Sequence, residues 1–268
     1  MVAAEITTEA TDLIELSEGD RQVATSLGIR PEIPANDFIY RFQLKRMGSD
    51  QAKGVAQYYR VGRYSADLFK NDILPEIRRI RRRLGHHSEP TTLLDFASGY
   101  GAVARHFGQV LPEFRVTTCD IHREATRFNS SVLGLQAIQS TLDPDEVDLP
   151  KHDIIIALSF FSHMPDATFA RWIKALSRAL PSGGALVFTT RGYTCQSTSP
   201  NGVMLGDGGF GFRPVSEQQD LDGAEYGLTL SLLEYVDAAV RGCDGMRVSV
   251  FRESLWWNHQ DVYVCMKA

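Results

Sequence analysis

The residues whose types and spacing carry chemistry lie in the stretch TTLLDFASGYGAVARHF, residues 91–107. A strand-like run reaches an acid, Asp95. A loop of small residues follows, Ala97, Ser98, Gly99 and Gly101 with Tyr100 between the glycines, and then a helix-forming segment. Glycines in such a loop remove Cβ atoms where the chain turns sharply and let a ligand lie on the main chain at a helix N-terminus. About twenty residues on, Asp120 closes a second strand-like run, residues 116–119. A βαβ unit of that length returns a carboxylate beside the loop, where it can accept both hydroxyls of a ribose. Gly99, Gly101 and Ala104 also meet the spacing of a dinucleotide fingerprint, so an NAD-type ligand is one of two nucleoside readings.

Proton chemistry has two candidates. His163 follows the apolar run HDIIIALS, and His259 sits beside Trp256 and Trp257; an imidazole titrates near neutrality and suits a general base. The cluster QYYRVGRYS, residues 57–65, places Tyr58, Tyr59, Arg60 and Arg63 just ahead of an expected helix, as contacts for a cofactor carboxylate or a substrate. Five arginines, Arg78, Arg79, Arg81, Arg82 and Arg83, end that helix. The dipole favours cations there and a solvated face is the plain expectation; contact with an acidic carrier, a nucleic acid or a phosphorylated substrate is the sharper one. His86 and His87 are adjacent and would point apart, and Cys119, Cys195, Cys243 and Cys265 form no CxxC pair. We therefore expect no metal site, no disulfide frame and reduced thiols, as in a cytoplasmic protein.

The elements that must position these residues read in two parts. Residues 1–90 show helical spacing: residues 17–27 with Ser17 as N-cap and Gly28 as stop, an extended link at Pro31 and Pro34, then one long helix over residues 65–84. From residue 91, strands and helices alternate. Residues 121–133 read as a helix, 135–139 as a strand, 152–159 as a strand buried on both faces, and 185–190 as another, which together predict a doubly wound sheet. Residues 192–226 are polar and glycine-rich and read as a lid or hairpin; 228–240 read as a helix, and 247–251 and 261–267 as strands. The net charge of −5 argues against a broad nucleic-acid footprint. No apolar run is long enough to span a membrane, and the acidic opening lacks an export signal. The sequence carries no signal for an oligomeric state.

The order D-x-A-x-G-x-G from Asp95 resembles the first motif of class I S-adenosylmethionine-dependent methyltransferases, usually hDxGxGxG. Ala97 stands at the first glycine, a strained choice if that position needs positive φ. The runs DIIIALSFFSHMPD and WIKALSRALPSGG resemble the family's fourth- and fifth-strand signatures, and Gln260 and Asp261 before VYVCMKA resemble its last strand. The resemblance implies a doubly wound, mostly parallel seven-stranded α/β sheet with a C-terminal antiparallel hairpin (91–268) behind an N-terminal helical cap (1–90). It implies S-adenosylmethionine as cofactor. Gly99 and Gly101 would border its methionine and ribose, Asp120 would hold the ribose, and Ile121 with Thr141 and Leu142, or Asp143, would flank the adenine. Ser159 and Phe160 would face the amino acid and methyl groups. Substrate would meet Phe161, His163 and Tyr193 on the rim, under Tyr59, Arg63, Trp257 and His259. The expected activity is methyl transfer to oxygen or nitrogen of a small molecule; the alternatives are an NAD-dependent oxidoreductase and a non-catalytic S-adenosylmethionine or nucleotide binder. No N-P-P-Y or D-P-P-Y tetrapeptide of nucleobase and protein-glutamine methyltransferases occurs.

Overall fold

The structure, a computed structural model, describes residues 11–196 and 202–268. The first ten residues of the opening stretch and 197–201 of the glycine-rich segment lie outside them.

Helix α1, Glu18–Leu27, begins with a capping box in which Ser17 and Asp20 satisfy each other's main-chain N–H groups, and ends at Gly28 with φ 67°. Asp37 caps α2, Phe38–Arg46, and Asp50 caps α3, Gln51–Leu68. The single helix expected over residues 65–84 starts earlier and is interrupted: α3 passes into a π-helical turn, Phe69–Ile73, before α4, Leu74–Arg83. Pro75 sits in the first turn of α4, lacks an N–H and crowds the carbonyl four residues back, which accounts for the widened turn.

Next come β1 (Thr92–Phe96), α5 (Ala104–Val110), β2 (Arg115–Asp120), α6 (Arg123–Ser131), β3 (Gln136–Gln139), β4 (Ile154–Ala157), α7 (Asp166–Arg178), β5 (Ala185–Thr190) and α8 (Tyr193–Gln196). The chain ends with β6 (Phe210–Arg213), β7 (Leu228–Ser231), α9 (Leu233–Arg241), β8 (Met246–Trp256) and β9 (Gln260–Lys267). Seven strands form one sheet in the order β3-β2-β1-β4-β5-β9-β8. The first five are mutually parallel and β9 runs antiparallel to both neighbours. Each face carries its own core. Leu94, Ile155 and Phe188 pack with α7 and α9, whereas Leu93, Ile154, Ile156 and Val187 pack with Phe69, Ile77 and Phe107. Burial on both faces explains why β4 reads as an unbroken apolar run.

One expected helix is corrected. Leu228–Ser231 is a strand paired with β6, and the helix begins only at Leu233. The alternation of Leu228 and Leu230, buried against Cys195 and Val203, outweighs the helical pattern farther on. Strands β6 and β7 therefore form a two-stranded flap, and a strap, residues 214–227, connects them.

Candidate functional site

In an open α/β sheet, ligands bind beyond the carboxyl ends of the parallel strands. Asp95, Asp120, Ser159 and Thr190 all lie at that edge, where antiparallel β9 also begins, with Asp261 opposite Thr190. After β1, Ala97, Gly99 and Gly101 have φ values of 58°, 53° and 70°. Alanine at 97 therefore carries the left-handed strain that its substitution for glycine threatened, about 1 kcal/mol.

The two glycines differ in purpose. A Cβ on Gly99 would meet nothing within 4 Å, so this is where the main chain is open to a ligand. A Cβ on Gly101 would lie 2.7 Å from Leu133 Cδ1 and 2.8 Å from Asn129 Oδ1. The missing side chain of Gly101 thus faces the protein and admits α6 rather than opening the chain to a ligand. Asn129 Nδ2 in turn donates to the Gly99 carbonyl at 2.9 Å, so α6 fixes the open loop.

Asp120 ties the loop to β2. Its Oδ2 accepts from Gly99 N at 2.7 Å, and its Oδ1 accepts from His122 N at 2.9 Å and contacts the His122 ring at the same distance. A carboxylate offers about four acceptor directions; these contacts take three, so one ribose hydroxyl has a free direction and a second would take the place of the His122 ring. Asp95, 3% exposed, receives no hydrogen bond from the described residues. Burial, then the charge of Asp120, pushes its carboxyl up to about 8. A buried acid this poorly satisfied fits a cationic ligand group.

On the other half of the rim, Thr189 Oγ1 and Ser159 Oγ donate to Gln260 Oε1 at 2.6 and 3.1 Å, and Ser159 N donates to Thr189 Oγ1 at 2.7 Å. Ser159 is held there at φ 59°, a strained non-glycine conformation. The His163 Nδ1 lies 2.7 Å from the Gly227 carbonyl, so it carries the proton and leaves Nε2 unprotonated. Its ring stacks on Tyr226 at 4.3 Å. Burial, then the nearby Arg191 charge, lowers its pKa to about 4, so it is neutral at pH 7.

The strap crosses this edge. Glu217 pairs with Arg191 at 3.1 Å, and Asp220 Oδ2 comes within 3.0 Å of His122 Nε2. Tyr226 lies near enough to Asp120 to feel its charge.

Several expected residues are placed elsewhere. The cluster at 57–65 lies within α3 rather than ahead of a helix. Tyr59 is corrected to a core residue whose hydroxyl donates to the Pro31 carbonyl, and Arg63 pairs with Asp67 on its own helix. Phe161 is fully buried against Phe169 and Phe188, so it cannot line a substrate pocket. Phe160 packs its ring against Phe96 and Trp172, and Tyr100 packs on Phe128 with its hydroxyl on Glu124. Thr141 bonds the Asp143 carbonyl, while the Asp143 carboxylate is held by Arg171. Leu142 is 65% and Tyr193 70% exposed. Trp257, at the hairpin turn, packs at a tilt against Tyr64, and His259 lies against Cys195. Arg78, Arg79 and Arg82 are ion-paired and Arg81 is buried on the Gly183 carbonyl, so the basic run is largely spoken for. Among the described residues, no group of three or more His, Cys, Asp or Glu is placed to hold a metal, and no helix is long and apolar enough to cross a membrane.

Sequence reasoning missed Arg105. Its guanidinium donates to the Gly101, Tyr100, Arg30 and Glu32 carbonyls and to the Tyr58 hydroxyl, which donates to Asp37. It ties the glycine loop to the N-terminal helices. An arginine on the buried side of a short apolar helix was the available signal. His122 and Tyr226 were also missed.

A family profile described as a methyltransferase domain matches residues 69–234, more than half of the chain. The protein belongs to this methyltransferase family, and is an enzyme of the S-adenosylmethionine-dependent class whose motifs its sequence resembles. The fold is shared with solved structures. An S-adenosylmethionine-bound amino pentose methyltransferase from Micromonospora echinaspora is 18% identical, covering 76% of this chain and 92% of its own, with a TM-score of 0.53. An S-adenosylmethionine-dependent methyltransferase from Clostridium acetobutylicum ATCC 824 is 14% identical over 75% and 95%, with a TM-score of 0.50. The mitomycin 7-O-methyltransferase is 15% identical over 87% of this chain and 62% of its own, at 0.50. No curated protein matches the sequence significantly.

Proposed function

We propose that the protein transfers a methyl group from S-adenosylmethionine to an oxygen or nitrogen atom of a small molecule. The observation that carries this reading is the pairing of an open main chain at Gly99 with two carboxylates, Asp95 and Asp120, at the ends of adjacent strands. In this reading Asp120 holds the ribose hydroxyls, Asp95 faces the ligand's cationic end, and Ile121, Thr141 and exposed Leu142 border the base. When bound, the cofactor supplies an electrophilic methyl on a sulfonium.

The protein's own residues then have three tasks. The Ser159–Thr189–Gln260 network fixes the floor between β4 and β9. The strap, with Tyr226 over His163, covers the edge and excludes water. His163, with Nε2 unprotonated, accepts the proton that an acceptor hydroxyl or ammonium loses. The roof formed by this strap favours a small acceptor over a folded macromolecule, in keeping with the small molecules named for the amino pentose and mitomycin relatives. The family match favours this reading over an NAD-dependent oxidoreductase.

Calorimetry with S-adenosylhomocysteine tests the assignment. Asp120→Ala should weaken binding by about 1.5–3 kcal/mol through loss of charge-assisted hydrogen bonds. Unchanged affinity in a folded variant would move the ribose site elsewhere.

A further inference from the structure

Resting on the methyltransferase reading, we propose that Arg191 recognises a carboxylate on the acceptor and that Glu217 of the strap competes for it. Arg191 directly follows β5, on the edge where the methyl acceptor must sit. Its guanidinium is close enough to His163, Tyr226, Cys195 and His259 for its charge to bear on each. These groups come from the loop after β4, the strap, α8 and the β8–β9 turn, so the charge of Arg191 reaches four elements of the rim.

Among the described residues, its ion-pair partner is Glu217, through one bond from Nη2 at 3.1 Å. Arginine binds carboxylates best through two parallel donors, so this single contact leaves most of the fork unused. The Arg191 side chain is 20% exposed and that of Glu217 is 35% exposed. One bond from Glu217 is a thin complement for a cation four-fifths buried beside a neutral imidazole. A carboxylate entering from solvent would take the bidentate position and release Glu217. With the acid end on Arg191, the remainder of a small acceptor points along the rim towards His163.

The test titrates the protein, saturated with S-adenosylhomocysteine, with 4-hydroxybenzoate and 4-aminobenzoate and with the matching amides, which have nearly the same shape and no charge. Each acid should bind about tenfold or more tightly than its amide. Arg191→Gln should abolish that preference without changing the affinity for S-adenosylhomocysteine. Glu217→Gln, a strap substitution at an exposed position, should raise acid affinity several-fold by removing the competitor. Acids bound no better than amides, or acid affinity lowered by Glu217→Gln, would overturn the proposal. Failure of S-adenosylhomocysteine itself to bind would instead strike the methyltransferase reading.

Discussion

The two glycines of the cofactor loop make opposite demands, and alanine at each separates them. At Gly101, alanine must adopt φ 70° and place Cβ 2.7 Å from Leu133 and 2.8 Å from Asn129. Left-handed strain costs about 1–2 kcal/mol and overpacking a further 1–3 kcal/mol, so the variant should lose roughly 2–5 kcal/mol of stability. For a chain of this size that lowers Tm by roughly 5–15 °C. Asn129 is displaced as well, which slackens its bond to the Gly99 carbonyl. At Gly99, φ is 53° but the Cβ meets open space, so alanine should cost only the strain, about 1 kcal/mol. Its methyl group instead occupies the ligand's approach. Gly99→Ala should therefore lose tenfold or more in affinity for S-adenosylhomocysteine while melting within about 4 °C of wild type. Urea denaturation read beside calorimetry measures both quantities. Wild-type affinity in Gly99→Ala, or wild-type stability in Gly101→Ala, would refute the assignment of the two faces.

Further outcomes follow from the same geometry. Asp95 has its pKa raised to about 8 by burial first and Asp120 second, against 3.8 when unfolded, so it binds a proton more tightly in the folded state. Its contribution to stability is complete below pH 4 and lost as pH rises towards 8; Asp95→Asn should flatten that decline and weaken cofactor binding. Between these limits a cationic ligand should expel the Asp95 proton, seen as a binding enthalpy that varies with the ionisation heat of the buffer; no buffer dependence would contradict it. His106, buried without a hydrogen bond to either ring nitrogen, is depressed to about 3 by burial, then by Arg105 and Arg63. Its stabilising neutral form is complete above pH 6.5 and lost as pH falls towards 3, so His106→Leu should flatten the acid limb of urea-unfolding curves. His163→Asn keeps a donor for the Gly227 carbonyl but no base, and should lower turnover by about 10² with cofactor affinity retained; a fall of less than about threefold would leave proximity to carry the chemistry.

How much of this was legible in the sequence depended on how local the signal was. The N-cap at Ser17, the apolar β4 and the acids near the ends of β1 and β2 are written in consecutive residues, and they emerged where expected. Long-range packing decided the rest. Tyr59 and Phe161 have the composition of binding residues, but the cap and the β5 face claim them as core. Gly101 matches a ligand loop in spacing, yet only the position of α6 reveals that its missing side chain serves Asn129 and Leu133. Arg105, which joins five groups drawn from the glycine loop and the N-terminal helices, and His122, lying between Asp120 and the distant Asp220, have partners that no spacing rule brings together. The segment was legible as a polar, glycine-rich lid or hairpin, but the two carboxylate contacts of its strap were not.

The central claim is tested most directly by calorimetry of the pure protein with S-adenosylmethionine, S-adenosylhomocysteine and NAD under one set of conditions. The account predicts that both adenosyl ligands bind with one site per chain, that NAD gives no heat, and that Asp120→Ala weakens the first two together. Binding of NAD more tightly than S-adenosylmethionine would contradict it.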